Sequence, residues 1–130
     1  NNWDNVEIFN AALADKDGEM TIFSLDSNRT CNSLTNNYGQ GGSSTKTFRF
    51  DTFMNDNGID KVDFVKLDVE NYEDILLRSE GFLNIADRIS AMEVEFHNPQ
   101  WTKLVEHLIG LGFEARRYEC SAIVVLFTKK

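Results

Sequence analysis

The sequence lacks the features of a membrane or secreted protein. No stretch comes near the roughly 20 consecutive apolar residues that cross a bilayer, and the first residues do not show the basic and then apolar pattern of a signal peptide. Cys31 and Cys120 lie far apart and form no C-x-x-C pair, so they indicate neither a zinc site nor a redox centre. We therefore expect a soluble, cytoplasmic protein without a membrane partner.

A surplus of positive charge is also missing. The chain has 13 Lys and Arg residues against 21 Asp and Glu residues, and its formal net charge is -8. Nucleic-acid binding depends on basic side chains that contact phosphates. Here the basic residues form no cluster larger than the two isolated pairs at 116–117 and 129–130. The segment GQGGSST at 39–45 lacks the spacing of a nucleotide-binding loop. We expect no nucleic-acid partner.

Strands and helices alternate along the chain. The 130 residues, of which 42% are hydrophobic, suffice for one core, so we predict a single domain over 1–130. Its fold class is α/β, with a mostly parallel sheet that closes on an antiparallel C-terminal hairpin. The polar segment 26–47 is predicted to be a flexible loop. The predicted strands lie at 6–14, 20–25, 48–50, 62–69, 89–97, 113–119 and 122–129. The predicted helices are a short one that Asp51 caps and Gly58 ends, a second at 72–83 and a third at 100–111.

Charged residues run through two predicted strands, toward their carboxyl ends. Successive side chains of a strand point to opposite faces, so charges at every second position share one face and the apolar residues between them share the other. An acidic residue at the start of the helix that follows, Glu73, favours the positive helix end whatever its function. The charged positions are Lys66, Asp68 and Glu70 in the first strand and Glu93, Glu95 and His97 in the second.

These charges predict a site at one rim of the sheet, because ligands of open α/β sheets bind outside the carboxyl ends of the strands. Lys66 and Glu93 lie one step deeper and are predicted to neutralise each other. Two alternatives stay open: all six charges form a solvated ion-pair network, or the outer ones bind a hard divalent metal ion. The outer charges are Asp68, Glu70, Glu95 and His97.

Residues 62–73, VDFVKLDVENYE, resemble the motif I-D-x-x-K-I-D-V-E-G-x-E of the FkbM family of S-adenosylmethionine-dependent methyltransferases. Asn71 stands where the family usually has glycine. The segments NAALADKDGEM, FRFDTFM, MEVEFH and LIGLGFE resemble further family segments, so the resemblance covers nearly the whole chain. The matching motif positions are Asp63, Lys66, Asp68, Val69, Glu70 and Glu73.

The resemblance implies a Rossmann-like class I methyltransferase sheet that transfers a methyl group to an oxygen of a small molecule or sugar. By the family's pattern, VEIF is the third strand of that sheet, and Asn10 and Ala11 bind the S-adenosylmethionine cofactor near its adenine. The implied catalytic residues are Asp68, Glu70 and His97, and Glu95 lies on the substrate side. Neutral His97 suits the role of general base near neutral pH.

The family's glycine-rich D-x-G-x-x-x-G loop, which cradles the cofactor, has no counterpart in the 130 residues. We therefore expect a fragment truncated in its N-terminal half, with weak or absent cofactor binding and no activity on its own. Such a fragment exposes an unpaired sheet edge, so a homodimer is expected. The competing interpretations are a non-catalytic, self-associating α/β interaction module and, less favoured, a metal-assisted enzyme.

Overall fold

The computed structural model describes residues 4–24, 32–35, 37, 41–119 and 122–129. Cys31 and Cys120 lie outside these ranges, as does much of the predicted loop. The strands are β1 Ala12–Leu13, β2 Gly18–Ser24, β3 Asn32–Ser33, β4 Gly42–Phe48, β5 Val62–Leu67, β6 Ile89–Phe96, β7 Phe113–Glu119 and β8 Ile123–Lys129. The helices are α1 Phe50–Asp56, α2 Glu73–Arg78, α3 Glu80–Leu83 and α4 Trp101–Gly110, with a 3-10 turn at Ala86–Arg88.

The first sheet has the strand order β1-β4-β2-β3 and corrects two predictions. The predicted loop is wrong for residues 32–33, which form β3, and for residues 42–47, which belong to β4. β4 pairs with β2 from Gly42↔Phe23 to Thr47↔Gly18. At Gly42 a Cβ atom would collide with the Thr21 methyl group and lie 3.0 Å from the Ile22 carbonyl oxygen, so the close approach of the two strands favours glycine. The predicted strand at 6–14 shortens to β1, and VEIF forms no strand.

The second sheet has the order β5-β6-β8-β7. β5 and β6 run parallel, with Lys66 opposite Glu93, and β7 and β8 form the predicted antiparallel hairpin. The α/β class is therefore confirmed, but a mostly parallel sheet is wrong for the described residues: two of six strand pairings are parallel, β1–β4 and β5–β6. β5 has a strand partner on one side within the described chain, so it is an edge strand rather than a fully buried one.

The helices differ from the predicted ones at two positions. The helix expected at 72–83 breaks at Ser79, whose ψ of 151° is extended and whose Oγ accepts the Phe82 N–H to cap α3. Asp51 is not the N-cap of α1, because the helix begins one residue earlier and the Asp51 carboxylate binds the Arg49 guanidinium at 2.7 Å. The helix expected at 100–111 is confirmed as α4.

The hydrophobic core fixes which face of β6 carries charge. Met92, Val94 and Phe96 are buried at alternate positions, so the residues between them, Glu93 and Glu95, point to the opposite face. None of the helices in the described ranges combines the length and the apolarity of a bilayer-spanning segment. The largest fully buried side chains of the core include Phe82, Phe127, Leu76, Leu77, Ile85 and Leu108.

Two hydrogen bonds connect the first sheet to the chain that follows β5. The buried Tyr72 hydroxyl donates to Asp15 Oδ1 at 2.5 Å, and the Ser33 hydroxyl donates to the Glu70 carbonyl at 2.6 Å. Burial, together with the bond to Asp15, raises the pKa of Tyr72 to about 12, so this hydroxyl stays a donor at neutral pH. Both bonds end in the turn between β5 and α2, which they hold in place.

Candidate functional site

The turn between β5 and α2 has an unusual backbone. Glu70 and Asn71 both adopt positive φ, at 48° and 73°, a conformation that costs free energy for residues other than glycine. The surrounding bonds hold it: the Ser33 hydroxyl binds the Glu70 carbonyl, and the Asn71 N–H donates to Glu73 Oε1 at 3.2 Å. Two consecutive strained residues at a strand end are typical of functional sites.

The parallel pairing of β5 with β6 brings the outer charges together at one rim of the sheet. His97 follows the last residue of β6, and its Nε2 atom lies 3.8 Å from Asp68 Oδ1, 3.6 Å from Glu70 Oε2 and 3.9 Å from Glu95 Oε1. We call these four residues the acid–imidazole cluster. The juxtaposition inferred from the strand pattern is therefore present, while the roles assigned to the individual side chains stay predictions.

Glu73 is the member of the site that the sequence interpretation missed. Its side chain is only 1% exposed, and its Oε1 atom lies 2.8 Å from His97 Nδ1. The imidazole is thereby held from behind, with Nε2 left facing the other three carboxylates. The signal for Glu73 in the sequence is the last acidic position of the motif at 62–73, which by itself also fits an acidic residue at the start of a helix.

His97 is more basic than an ordinary histidine. Burial by itself lowers the pKa of His97, but the hydrogen bond and charge of Glu73, with the charges of Glu70 and Asp68, outweigh burial and raise the pKa. The neutral imidazole expected near neutral pH is therefore less populated than the sequence interpretation assumed. The same carboxylates make His97 a stronger proton acceptor once it is neutral.

Lys66 does not form the predicted ion pair with Glu93, although the two residues lie opposite each other in the sheet. Its ammonium group instead lies 3.7 Å from Asp68 Oδ2, and its side chain is 59% exposed. The reason is that β5 is an edge strand, so a long side chain there can turn toward solvent and the strand end. Lys66 occupies one oxygen of Asp68 and leaves Oδ1 on the side of His97.

Asn10 and Ala11, the expected cofactor residues, line a cavity of about 800 Å³ against β2 and β4. No member of the acid–imidazole cluster is among the described residues of its lining, and none of those residues carries a carboxylate. The cavity and the cluster adjoin through β3, because Asn32 lines the cavity and Ser33 binds the Glu70 carbonyl. The expected cofactor residues therefore line a cavity to whose described lining the expected catalytic residues do not belong.

Of the comparisons with known proteins, the one with protein-family models found a match. The model of the methyltransferase FkbM domain matches residues 2–120, a range that includes the cavity lining, the strained turn and the whole acid–imidazole cluster. Neither the search of curated proteins nor the search of solved structures found a match. Because the matched range covers most of the 130 residues, the chain belongs to the FkbM methyltransferase domain family.

Proposed function

We propose that this domain forms the acceptor side of an S-adenosylmethionine-dependent O-methyltransferase whose acceptor is a small molecule or a sugar. The observation that supports the proposal most directly is the orientation of His97: Nδ1 lies on the buried Glu73 carboxylate, and Nε2 faces the rim between Asp68, Glu70 and Glu95. A proton acceptor flanked by oxygen acceptors suits a ligand that carries several hydroxyl groups.

The proposed reaction requires an acceptor hydroxyl to lose its proton as its oxygen is methylated. Glu73 accepts the Nδ1 hydrogen of His97, so the lone pair of neutral His97 lies on Nε2, where it can take that proton. Asp68 and Glu70 can accept hydrogen bonds from neighbouring hydroxyls and orient the acceptor. Because the pKa of His97 is raised, the neutral base becomes populated at higher pH than for an ordinary histidine, and turnover should increase with pH.

S-adenosylmethionine supplies the electrophilic methyl group in this proposal, and the cavity at Asn10 and Ala11 fits that molecule only in part. Its volume of about 800 Å³ is within the usual range of ligand pockets. Its described lining offers no carboxylate for the ribose hydroxyls, and the charged residue in it, Lys46, has the same sign as the sulfonium. We therefore expect these 130 residues to bind the cofactor weakly; micromolar affinity in isothermal titration would contradict this.

Acceptor binding is the sharper test of the proposal. Methyl glycosides and small polyols are titrated into isotope-labelled protein, and amide and imidazole NMR signals are followed. We expect shifts at the acid–imidazole cluster and at least tenfold weaker binding in Asp68→Asn, because the acceptor loses a charged hydrogen-bond partner. Glu93→Gln is the matched control, since Glu93 lies on β6 outside the cluster. Equal binding by the two variants, or no binding at the cluster, would contradict the proposed acceptor site.

A non-catalytic, self-associating module is a second candidate, and one observation favours it. Within the described chain the outer edge of β5 has no strand partner, and Phe64 on that edge is 52% exposed. Exposed apolar residues beside an open strand edge are typical of association sites. Light scattering that detects only monomer would exclude this candidate.

A further inference from the structure

The donor atoms of the acid–imidazole cluster surround a volume of the size of a metal ion. The candidate ligand atoms of Asp68, Glu70 and His97 all lie within 4.8 Å of one another. The distances of 3.6 to 3.9 Å from His97 Nε2 to the three carboxylates are too long for hydrogen bonds. Metal–ligand bonds of about 2.1 Å place neighbouring ligand atoms about 3 Å apart and opposite ones about 4.2 Å apart. The three distances from Nε2 fall between these two values, and the bound of 4.8 Å exceeds the larger one, so side-chain rotations that bring the carboxylates closer would complete a coordination shell.

Glu73 gives a second, independent indication of a missing positive partner. Its side chain is 1% exposed, and its Oε2 atom is buried without a hydrogen-bond partner within the described part of the chain. A buried carboxylate with an unsatisfied oxygen is costly unless nearby positive charge compensates it. The carboxylate lies against the imidazole of His97, so either a proton on that ring or a cation on its far side would reduce the cost.

The same carboxylate prepares His97 as a ligand. Histidines that bind metal ions through one ring nitrogen usually donate the hydrogen of the other to a carboxylate or carbonyl, which fixes the ring and its tautomer. Glu73 Oε1, at 2.8 Å from Nδ1, is placed for this role and leaves the lone pair on Nε2. The ring nitrogen with the free lone pair is therefore the one that faces Asp68, Glu70 and Glu95.

Charge and access also favour a cation. Three carboxylates converge on one imidazole, and the nearest ammonium group, that of Lys66, contacts Asp68 Oδ2 rather than the Oδ1 atom that faces His97. The cluster is open to solvent, since the side chain of Asp68 is 41% exposed and that of Glu95 is 29% exposed. An ion can thus enter, and its charge would offset the mutual repulsion of the carboxylates.

We propose that the acid–imidazole cluster binds one divalent cation of the Mn²⁺ type through His97 Nε2 and the carboxylates of Asp68, Glu70 and Glu95. A single imidazole among oxygen ligands suits Mn²⁺ better than Zn²⁺, which prefers sites rich in nitrogen and sulfur, or Ca²⁺, which takes six to eight oxygens. The site goes beyond the proposed methyl transfer and does not rest on it: metal binding can be measured without a methyl donor or acceptor. An ion on Nε2 would take the lone pair that the proposed base uses, so His97 cannot hold both roles at once.

The test measures Mn²⁺ binding to chelator-treated protein by electron paramagnetic resonance, with manganese chloride as the sole added ligand. We expect one saturable site per chain, and at least tenfold weaker binding in both His97→Gln and Asp68→Asn. Glu73→Gln should weaken binding about tenfold without touching the ion, as removal of a partner of a metal-bound histidine does. Glu93→Gln should bind as the wild type does. Circular dichroism checks folding, and Glu70→Gln replaces any variant that does not fold.

The possible outcomes separate clearly. A saturable site that weakens in the cluster variants and persists in Glu93→Gln supports the proposal. Absent saturable binding, or equal losses in Asp68→Asn and Glu93→Gln, overturns it. A preference for Ca²⁺ over Mn²⁺ in competition overturns the assignment of the ion, whereas Zn²⁺ is left out of the competition because it binds most nitrogen and oxygen sites more tightly than Mn²⁺ does. Acceptor titrations repeated in chelator keep this result apart from the proposed function, because loss of acceptor binding with retained Mn²⁺ binding contradicts only the methyl-transfer proposal.

Discussion

His97 owes its chemistry to a residue that lies behind it. Glu73 is buried and binds Nδ1 at 2.8 Å, while the other carboxylates lie more than 3.5 Å from Nε2. Close contact with a buried carboxylate strengthens the hydrogen bond, because water does not compete for either partner. Glu73 therefore both orients the imidazole and contributes most to the raised pKa of His97 among the neighbouring groups.

Substitution of Glu73 tests this assignment. Glu73→Gln keeps a carbonyl oxygen for Nδ1 but removes the charge, so the pKa of His97 should fall below its wild-type value. The measurement is an NMR titration of the His97 ring signals in metal-free buffer. Glu80→Gln is the control: Glu80 pairs with Arg49, away from the site, and should leave the titration unchanged. An unaltered His97 titration in Glu73→Gln would contradict the role of Glu73.

The raised pKa of His97 also makes a signed prediction about stability. Protonated His97 is favoured in the folded state, so its contribution is fully present below the unfolded pKa of about 6.5. That contribution should disappear as pH rises through the higher folded pKa. Compared with His97→Gln, the wild type should lose part of its unfolding free energy above about pH 6.5. Denaturant titrations across that pH range measure the difference in unfolding free energy between the wild type and His97→Gln. A difference in favour of the wild type that grows with pH would contradict the raised pKa of His97.

At the scale of elements, the turn between β5 and α2 carries conformational strain that sequence changes can release or increase. Asn71 has φ of 73°, which glycine adopts freely, asparagine tolerates and alanine resists. Asn71→Ala should lower the unfolding free energy by about 1 kcal/mol relative to Asn71→Gly, which should be at least as stable as the wild type. Thermal and denaturant unfolding of the three proteins measure the order. Equal stability of the alanine and glycine variants would show that the turn is not strained.

The contact between α1 and α3 gives a second element-scale prediction. A Cβ atom at Gly81 would lie 2.9 Å from Arg49 Cβ and 3.0 Å from Asp51 Oδ1, so α3 would have to move away from the start of α1. Gly81→Ala should therefore destabilise the protein by about 1 to 3 kcal/mol. Gly110→Ala is matched to it, because Gly110 is also helical but has open space, and it should be neutral or stabilising by up to about 1 kcal/mol. Equal losses of unfolding free energy in Gly81→Ala and Gly110→Ala would contradict this prediction.

The elements that could be predicted are those whose side chains determine them locally. Residues 101–110 repeat apolar positions at helical spacing, and 89–96 alternate buried and exposed positions, so α4 and β6 follow from the sequence. β4 did not, because GSSTKTF is polar and becomes a strand through its long-range pairing with β2. Val6 and Ile8 show the converse: their apolar alternation predicts a strand, yet both remain exposed without one.

The candidate site was predictable to a similar degree. Side-chain alternation and the expected parallel pairing of two strands were enough to bring Asp68, Glu70, Glu95 and His97 to one rim. The partner of His97 was not predictable, since Glu73 reaches the ring only after the turn at Glu70 and Asn71 reverses the chain. The predicted ion pair between Lys66 and Glu93 is wrong for a related reason. The register places the two residues opposite each other, but it does not determine where a long side chain on an edge strand points.

At the scale of the whole molecule, two four-stranded sheets are linked through the turn that carries the site. Ser33 and Asp15, from the first sheet and its neighbouring turn, bind Glu70 and Tyr72, which lead from β5 into α2. The lining of the cavity includes Asn32, and its neighbour Ser33 donates the hydrogen bond to the Glu70 carbonyl. This connection offers a physical route by which occupation of the cavity could alter the geometry of the acid–imidazole cluster.

The open edge of β5 gives the last prediction, self-association about a two-fold axis. Two copies of β5 related by an axis perpendicular to the sheet run antiparallel, and residues of the same face lie opposite each other. Centred on Phe64, this pairing stacks two phenylalanines; centred one residue later, it places Phe64 opposite Lys66 of the partner subunit. Either contact is favourable, whereas centring on Asp63 or on Lys66 would oppose like charges.

Phe64→Lys should therefore weaken association at least tenfold, because the introduced ammonium group faces its own copy in the first register and Lys66 of the partner subunit in the second, so both registers oppose like charges. Ile109→Lys is the matched control, since Ile109 on α4 is exposed to a similar extent, 51% against 52%, but lies away from the edge. Static light scattering over a concentration series measures the dissociation constant for the wild type and both variants. A wild type that stays monomeric, or equal weakening by the two substitutions, would show that the β5 edge does not mediate association.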